Sequence, residues 1–369
     1  MPWTALRSPL EQWAVMPSFL LGELLFIGLA TAALVHALRT ERAHLLAWLG
    51  ALVAGTANDL IFMALPLVDN FWHAQATVML TPRLPLYIPC LYVCFLYYPT
   101  VAVRRGGARG LAAGALTGLC AALFYAPFDI VGAKLLWWTW HDTDLPIAER
   151  ILGAPASSTL WVLTFAGSFA WLLDRALARD PKVSARTFGL GLLMLAGLTT
   201  VVMVLQITPL QQLDGGAPGY VALATGIVAY AALAWRGRAR LSIPEPRPTD
   251  RVAWIAILVH AAVLLTIALS FDPATHRSTG VHQTVGECYV EAQDVTGLTR
   301  HLYLCADDYD EGFSFDCAAT PVDGARWYTV CGRPHDAFGA WATGVGALTL
   351  AIALVFSLLF GRLSPPRAR

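Results

Sequence analysis

Residues 18–40 read SFLLGELLFIGLATAALVHALRT, an apolar run from Ser18 to Leu38 interrupted by Glu23 and His36 and followed by Arg39. A helix needs about 20 predominantly apolar residues to cross the hydrocarbon of a bilayer, and this run supplies them. It is too long for the apolar core of a secretory leader, and Arg7 and Glu11 before it do not make a basic region. It reads as a retained transmembrane helix, with residues 1–17 as an extracytoplasmic or interfacial lead-in.

Eight further stretches repeat the pattern, at about 44–66, 79–103, 110–133, 157–176, 187–207, 219–235, 252–270 and 338–361. The third carries Arg83, Pro85, Pro89 and Pro99, so a kinked segment is expected there. Of 369 residues 57% are hydrophobic and 14% charged; a soluble domain would carry about a quarter charged. Mean hydropathy is +0.57. The fold class is therefore an all-α polytopic membrane protein with about nine transmembrane helices. No basic tract with interleaved aromatics points to nucleic acid.

Net charge is zero, yet the charges are unevenly placed. Alternate loops hold Arg39 and Arg42; Arg104, Arg105 and Arg109; Arg175, Arg179, Lys182 and Arg186; Arg236 to Arg251; and the tail 362–369 with Arg362, Arg367 and Arg369. These are 17 of the 25 basic residues. Basic residues in short loops mark the cytoplasmic side, which puts the N-terminus outside and the C-terminus inside. Arginine and alanine richness suggests a bacterial cytoplasmic membrane.

On this reading 18–270 is an eight-helix membrane unit, 271–337 an extracytoplasmic loop and 338–361 the ninth helix. The loop has 11 carboxylates against four arginines and contains Cys288, Cys305, Cys317 and Cys331. Two disulfides are expected, in any of three pairings, because the spacings lack the C-x-x-C pair of a zinc site. Runs at 288–290, 301–304 and 327–330 favour strands, and the loop could also bind a protein partner. Nothing in the sequence sets the oligomeric state.

Ionisable residues inside such spans are costly and tend to face one another or a wet cavity. Glu23, Asn58, Asp59, Arg83 and Asp129 all fall in the outer half of their spans. Two boundary runs, Val68-Asp69-Asn70-Phe71-Trp72-His73 and Trp137-Trp138-Thr139-Trp140-His141-Asp142-Thr143-Asp144, set histidine and carboxylates beside tryptophan. If the fourth span continues helically, Lys134, Trp137 or Trp138, and His141 share a face, and Lys134 could pair with Glu23, Asp59 or Asp129. The expectation is one outer-facing polar pocket. Its candidate catalytic groups are Glu23, Asp59, His73, Asp129, His141 and Asp142. Asn58, Trp72, Arg83, Lys134 and Trp138 would contact substrate.

Each group also has a plainer role. The tryptophans could form an interfacial belt, Asp144 could cap the turn before Leu145-Pro146, and Arg83 could reach the headgroups. Two chemistries fit the set. A desolvated Glu23 or Asp59 could pass a proton to a lipid while tryptophan faces stabilise a cation; no cofactor is then needed. Alternatively a zinc ion held among Asp69, His73, His141 and Asp144 could activate water for lipid hydrolysis. A transporter or receptor could use the same groups without chemistry.

The runs Asn58-Asp59-Leu60-Ile61-Phe62, Leu65 to His73, Pro85-Leu86-Tyr87-Ile88-Pro89, Pro127 to Asp144, Phe315-Asp316-Cys317 and Trp327 to Gly332 resemble a polytopic membrane family of unknown function that occurs in animals, fungi and some bacteria. The likeness spans most of the chain and implies no activity. In layout, the Glu-bearing early span, the Pro-bracketed third segment, Pro127-Phe128-Asp129 leading to Trp138-Thr139-Trp140, and Gly153-Ala154-Pro155 are more distantly similar to carotenoid-biosynthesis membrane hydratases. The large cysteine loop and Trp140-His141-Asp142-Thr143-Asp144 depart from that pattern. The resemblance implies an isoprenoid substrate.

Overall fold

Proline, arginine and small polar caps punctuate the apolar runs where helices begin and end. The computed structural model describes residues 4–65, 67–68, 71–142, 144–237, 247–307 and 311–361. Asp69, Asn70, Thr143, the arginines at 238 and 240 and the basic tail lie outside the described residues. The short α1 (Pro9–Val15) precedes α2 (Pro17–Arg39), α3 (Arg42–Ala64), β1 (Phe71–His73), α4 (Tyr87–Arg105), α5 (Gly110–Lys134) and β2 (Trp138–Trp140). A single turn α6 (Leu145–Ala148) and the pair β3 (Arg150–Ile151) and β4 (Ala154–Pro155) lead to α7 (Ala156–Arg179), α8 (Ala185–Gln211), α9 (Tyr220–Gly237) and α10 (Arg251–Ser270). The loop then contributes β5 (Arg277–Val281), β6 (Glu291–Gln293), β7 (Thr299–His301), β8 (Phe313–Ser314) and β9 (Trp327–Gly332) before α11 (Phe338–Phe360). Ser184 and Asp250 cap α8 and α10 by accepting from the backbone of Thr187 and Ala253, each satisfying a donor the helix leaves open.

Among the described residues eight helices are long and apolar enough to cross a membrane: α2, α3, α5, α7, α8, α9, α10 and α11. The protein is an integral, multi-pass membrane protein. The expected span 79–103 differs from the others. Residues before Tyr87 form an irregular segment bridged at Met79–Pro85 and Leu6–Val78, because Pro82 and Pro85 cannot continue a helical ladder. α4 itself is rich in tyrosine, and Tyr87, Tyr92, Tyr97 and Tyr98 are all buried among its neighbours. Its apolarity falls short because four tyrosines and the terminal Arg104 and Arg105 replace hydrocarbon side chains.

The helix ends gather on two faces. On one, which carries the loop, Ser18 at the start of α2 bonds His276 at 2.6 Å, and β1 after α3 pairs antiparallel with β2 after α5. The Gln75 backbone donates to Thr279 of β5 at 2.9 Å. On the opposite face His36 near the end of α2 meets Asp250 at 2.9 Å, and the Asp250 backbone donates to Phe360 at the end of α11 at 2.9 Å. There Arg104 at the end of α4 pairs with Asp174 near the end of α7 at 2.5 Å, while Gly110, opening α5, donates to the same carboxylate at 2.6 Å.

Loop residues form the antiparallel sheet β5-β9-β8 and the hairpin β6-β7. Of the three expected strand runs, 327–330 lies wholly within β9, 301–304 is met only at His301 by β7, and residues 288–290 are not a strand. Cys288 is bonded to Cys305 and Cys317 to Cys331, with Cα atoms 4.7 and 5.8 Å apart, which selects one of the three pairings.

Candidate functional site

The helical continuation expected beyond Lys134 does not occur. α5 ends at Lys134, Leu136 turns the chain at φ 58°, and Trp138–Trp140 is a strand. Side chains therefore alternate with period two instead of following the helical repeat. Phe71, His73, Trp138 and Trp140 line a cavity inside the bundle. Thr139 on the opposite face meets His282 of the loop at 3.1 Å. Trp72, its partner in register, is buried outside the cavity wall, not in the substrate-contacting place expected. Trp137 turns back into the bundle, donating to Ser18 at 3.1 Å and packing where a side chain on Gly22 would stand.

The cavity encloses about 580 Å³ between α3, α4, α5, α7 and α8. Its walls are mostly aromatic and aliphatic, and two carboxylates, Asp59 and Asp129, enter them. Thr200 donates to the Asn58 carbonyl at 3.1 Å, the Asn58 amide to the Tyr92 hydroxyl at 3.3 Å, and Tyr92 to Asp59 at 2.7 Å. Asp129 is 1% exposed, and among the described residues neither carboxylate oxygen has a well-formed hydrogen bond. The Ser158 hydroxyl approaches it without completing one. Buried polar atoms are nearly always bonded, so an exception aimed into a cavity marks a place for a ligand or water. Val204, Thr208 and Gln212 are wall residues that also reach the surface, so the cavity opens alongside α8.

Tyr92 holds Asp59 only because Gly55 leaves room for its ring. A methyl on Gly55 would stand 2.2 Å from the Tyr92 Cγ. Gly55→Ala should cost about 1–3 kcal/mol, read as a lower melting temperature in detergent.

The remaining candidates fall elsewhere. Glu23 is 1% exposed but accepts from the Thr77 backbone at 2.9 Å and the Thr77 hydroxyl at 2.8 Å, tying down the segment before α4. Lys134 donates to the Pro334 carbonyl at 3.1 Å, not to Glu23, Asp59 or Asp129. Arg83 donates to the Phe71 carbonyl at 3.4 Å and lines a separate, shallower hollow with Arg326 and Trp327. His141, Asp142 and Asp144 meet the loop. His141 Nδ1 lies 2.7 Å from Glu311, Asp142 pairs with Arg150 and the Gly312 backbone, and Asp144 accepts from the His301 backbone at 3.0 Å. Burial alone would lower the His141 imidazole, but the Glu311 carboxylate raises it above its ordinary value.

The structure does not bring His73 and His141 together: His73 lines the cavity, whereas His141 meets Glu311 of the loop. In register His73 faces Trp138, three residues from His141, a separation of about 10 Å along a strand. Of the four expected zinc ligands, Asp69 lies outside the described residues and His73 belongs to the cavity. Among the described residues neither His73 ring nitrogen has a hydrogen-bond partner, and burial, with the Arg83 charge, pushes it down to about 3. Burial likewise pushes His282 to about 3. So weak a base suits His73 to a polar contact rather than to proton abstraction.

Both histidines have folded values below their ordinary 6.5. Their stabilisation is complete above pH 6.5 and is lost as pH falls towards 3, at roughly 1.4 kcal/mol per pH unit for each. Melting curves between pH 7 and 4 should shift downward, and His73→Gln should remove about one proton's worth of that slope.

Sequence reasoning missed Tyr92, Tyr125, Ser158 and Trp161 in the cavity and Arg300, His301 and Glu311 above it. The tyrosines read as core. His301 and Glu311 sit 157 or more positions from the carboxylate and backbone groups of residues 142–144 that they meet.

The fold and cavity define a polytopic helical membrane protein with a roofed, two-carboxylate aromatic chamber. The chain belongs to the family described as domain of unknown function DUF7802, whose model matches residues 3–360. No curated protein and no solved structure matches it.

Proposed function

We propose that this protein is an integral-membrane enzyme that acts on an isoprenoid or other lipid by acid–base chemistry in the chamber. The observation that carries this reading is Asp129, a fully buried carboxylate in a mainly aromatic wall, without a well-formed hydrogen bond among the described residues. A protonated Asp129 would donate to an alkene carbon; the π pair forms the new C–H bond and leaves a cation. The faces of Trp138, Trp140 and Trp161 would stabilise that cation. Loss of a neighbouring proton, or of one from an attacking water, to the Asp59 carboxylate would complete the step, and return of a proton to Asp129 would reset the site. Tyr92 would orient Asp59. The layout likeness to carotenoid-biosynthesis hydratases favours the same substrate class.

In this account α4 also crosses, giving nine passes. The loop and the segment before α2 face outward, the arginine-rich ends face the cytoplasm, and the chamber serves the outer leaflet of a bacterial cytoplasmic membrane. Support comes from the positive-inside pattern, the two faces on which helix ends gather, and the two disulfides, which suit an oxidising compartment. A lipid would enter alongside α8.

Mass spectrometry of lipids released from the purified protein tests the reading. One lipid class should co-purify in stoichiometric amount and be depleted from Ile207→Trp, which narrows the chamber. Equal, unselective lipid in both proteins would contradict it.

A further inference from the structure

We infer that His141, Asp144 and His301 bind a divalent cation, zinc by its preference for imidazole and carboxylate donors, and that this ion fastens the β6-β7 hairpin over the chamber. The site is separate from the acid–base groups and does not rest on the proposed chemistry.

Ligand atoms of the three residues already lie within 4.8 Å of one another. His301 Nδ1 stands 3.6 Å from an Asp144 oxygen, and two ligands on a tetrahedral zinc with arms of about 2.1 Å stand roughly 3.4 Å apart. His141 and Asp144 are 2% and 3% exposed, so two of the three donors are shielded from bulk water, and His301 is partly exposed. The two imidazoles face each other with centroids 5.0 Å apart. A further, independent contact points to a metal: Glu311 sits 2.7 Å from His141 Nδ1. That carboxylate holds the ring at Nδ1, while Nε2 lies 3.3 Å from the Tyr303 carbonyl, a contact the ion would replace. Arg300 is the competing cation, at 3.8 Å from Asp144, but Asp294 holds its Nε at 2.9 Å. Three protein ligands leave a fourth position for water.

The ion would join two distant parts of the chain. His141 and Asp144 follow β2, which forms part of the chamber wall, while His301 closes the hairpin whose Thr296, Leu298 and Arg300 line the chamber from above. Zinc would thus keep the roof in place.

The test uses the full chain purified without chelator in lipid nanodiscs, with metal content measured by elemental analysis. Wild type should carry stoichiometric zinc. His301→Gln and Asp144→Asn should lose it, and Glu311→Gln should weaken zinc binding about 10–100-fold. His73→Gln and Asp129→Asn should keep it, which separates this site from the chamber chemistry. Cobalt substitution, which needs no variant, should give the visible bands of a tetrahedral nitrogen- and oxygen-ligated ion. Chelation should raise deuterium exchange in residues 291–301. Wild type that neither carries zinc nor takes up cobalt would overturn the inference. So would zinc retained at full stoichiometry in both His301→Gln and Asp144→Asn.

Discussion

Asp129→Asn should lower turnover of the chamber's lipid by about 10²–10⁴-fold, the usual contribution of one positioned acid or base. The amide has nearly the same shape, so binding should survive and the loss should fall on kcat rather than KM. Asp129→Glu, which restores the acid one methylene further along, should recover part of the rate. The measurement follows product masses from lipid extract supplied to the protein in nanodiscs. Asp59→Asn should also impair turnover, and because the amide oxygen can still accept from Tyr92 the loss should reflect the missing base rather than a broken contact. If Asp129→Asn turns over like wild type, the residue is not the acid and its poorly satisfied carboxylate needs another explanation.

Removal of the Cys317–Cys331 bond by a double serine substitution should destabilise the loop by about 3 kcal/mol, the amount expected for closing a chain segment of this length. That is more than a hundredfold rise in the opened population. The bond fixes β9, which pairs with both β5 and β8 and thereby holds the sheet together. Limited proteolysis and deuterium exchange should show the loss concentrated in 277–332, with the helices spared. The Cys288–Cys305 pair closes a loop of similar length and should matter comparably. Unchanged exchange in both double variants would mean that docking on the bundle, not the cross-links, holds the loop.

The parts of this fold visible in the sequence are those set by composition over long windows. Ser18–Leu38 and its counterparts are spans because length and apolarity decide that question locally. Asp59 and Asp129 were legible as groups that face a cavity because a carboxylate inside an apolar run is costly unless it faces something polar. The four loop cysteines announced disulfides, though not which pairing.

What the sequence concealed depends on single backbone angles and distant contacts. No glycine or proline marks the stop after Lys134; Leu136 simply takes a left-handed conformation. Once that turn is made, period two replaces the helical repeat, so His73 and His141 part company, one to the chamber and one to the loop. Glu23 looked like Asp59 in sequence, yet Thr77 satisfies it. His301 and Glu311 sit in a polar loop where nothing local tells them from their neighbours.

A density map of the protein extracted from native membranes tests the central claim most directly. The account predicts elongated apolar density inside the chamber, entering alongside α8 and ending against Asp129 and Asp59. A chamber filled only by water, or a wet path running on to the arginine-rich face, would contradict it.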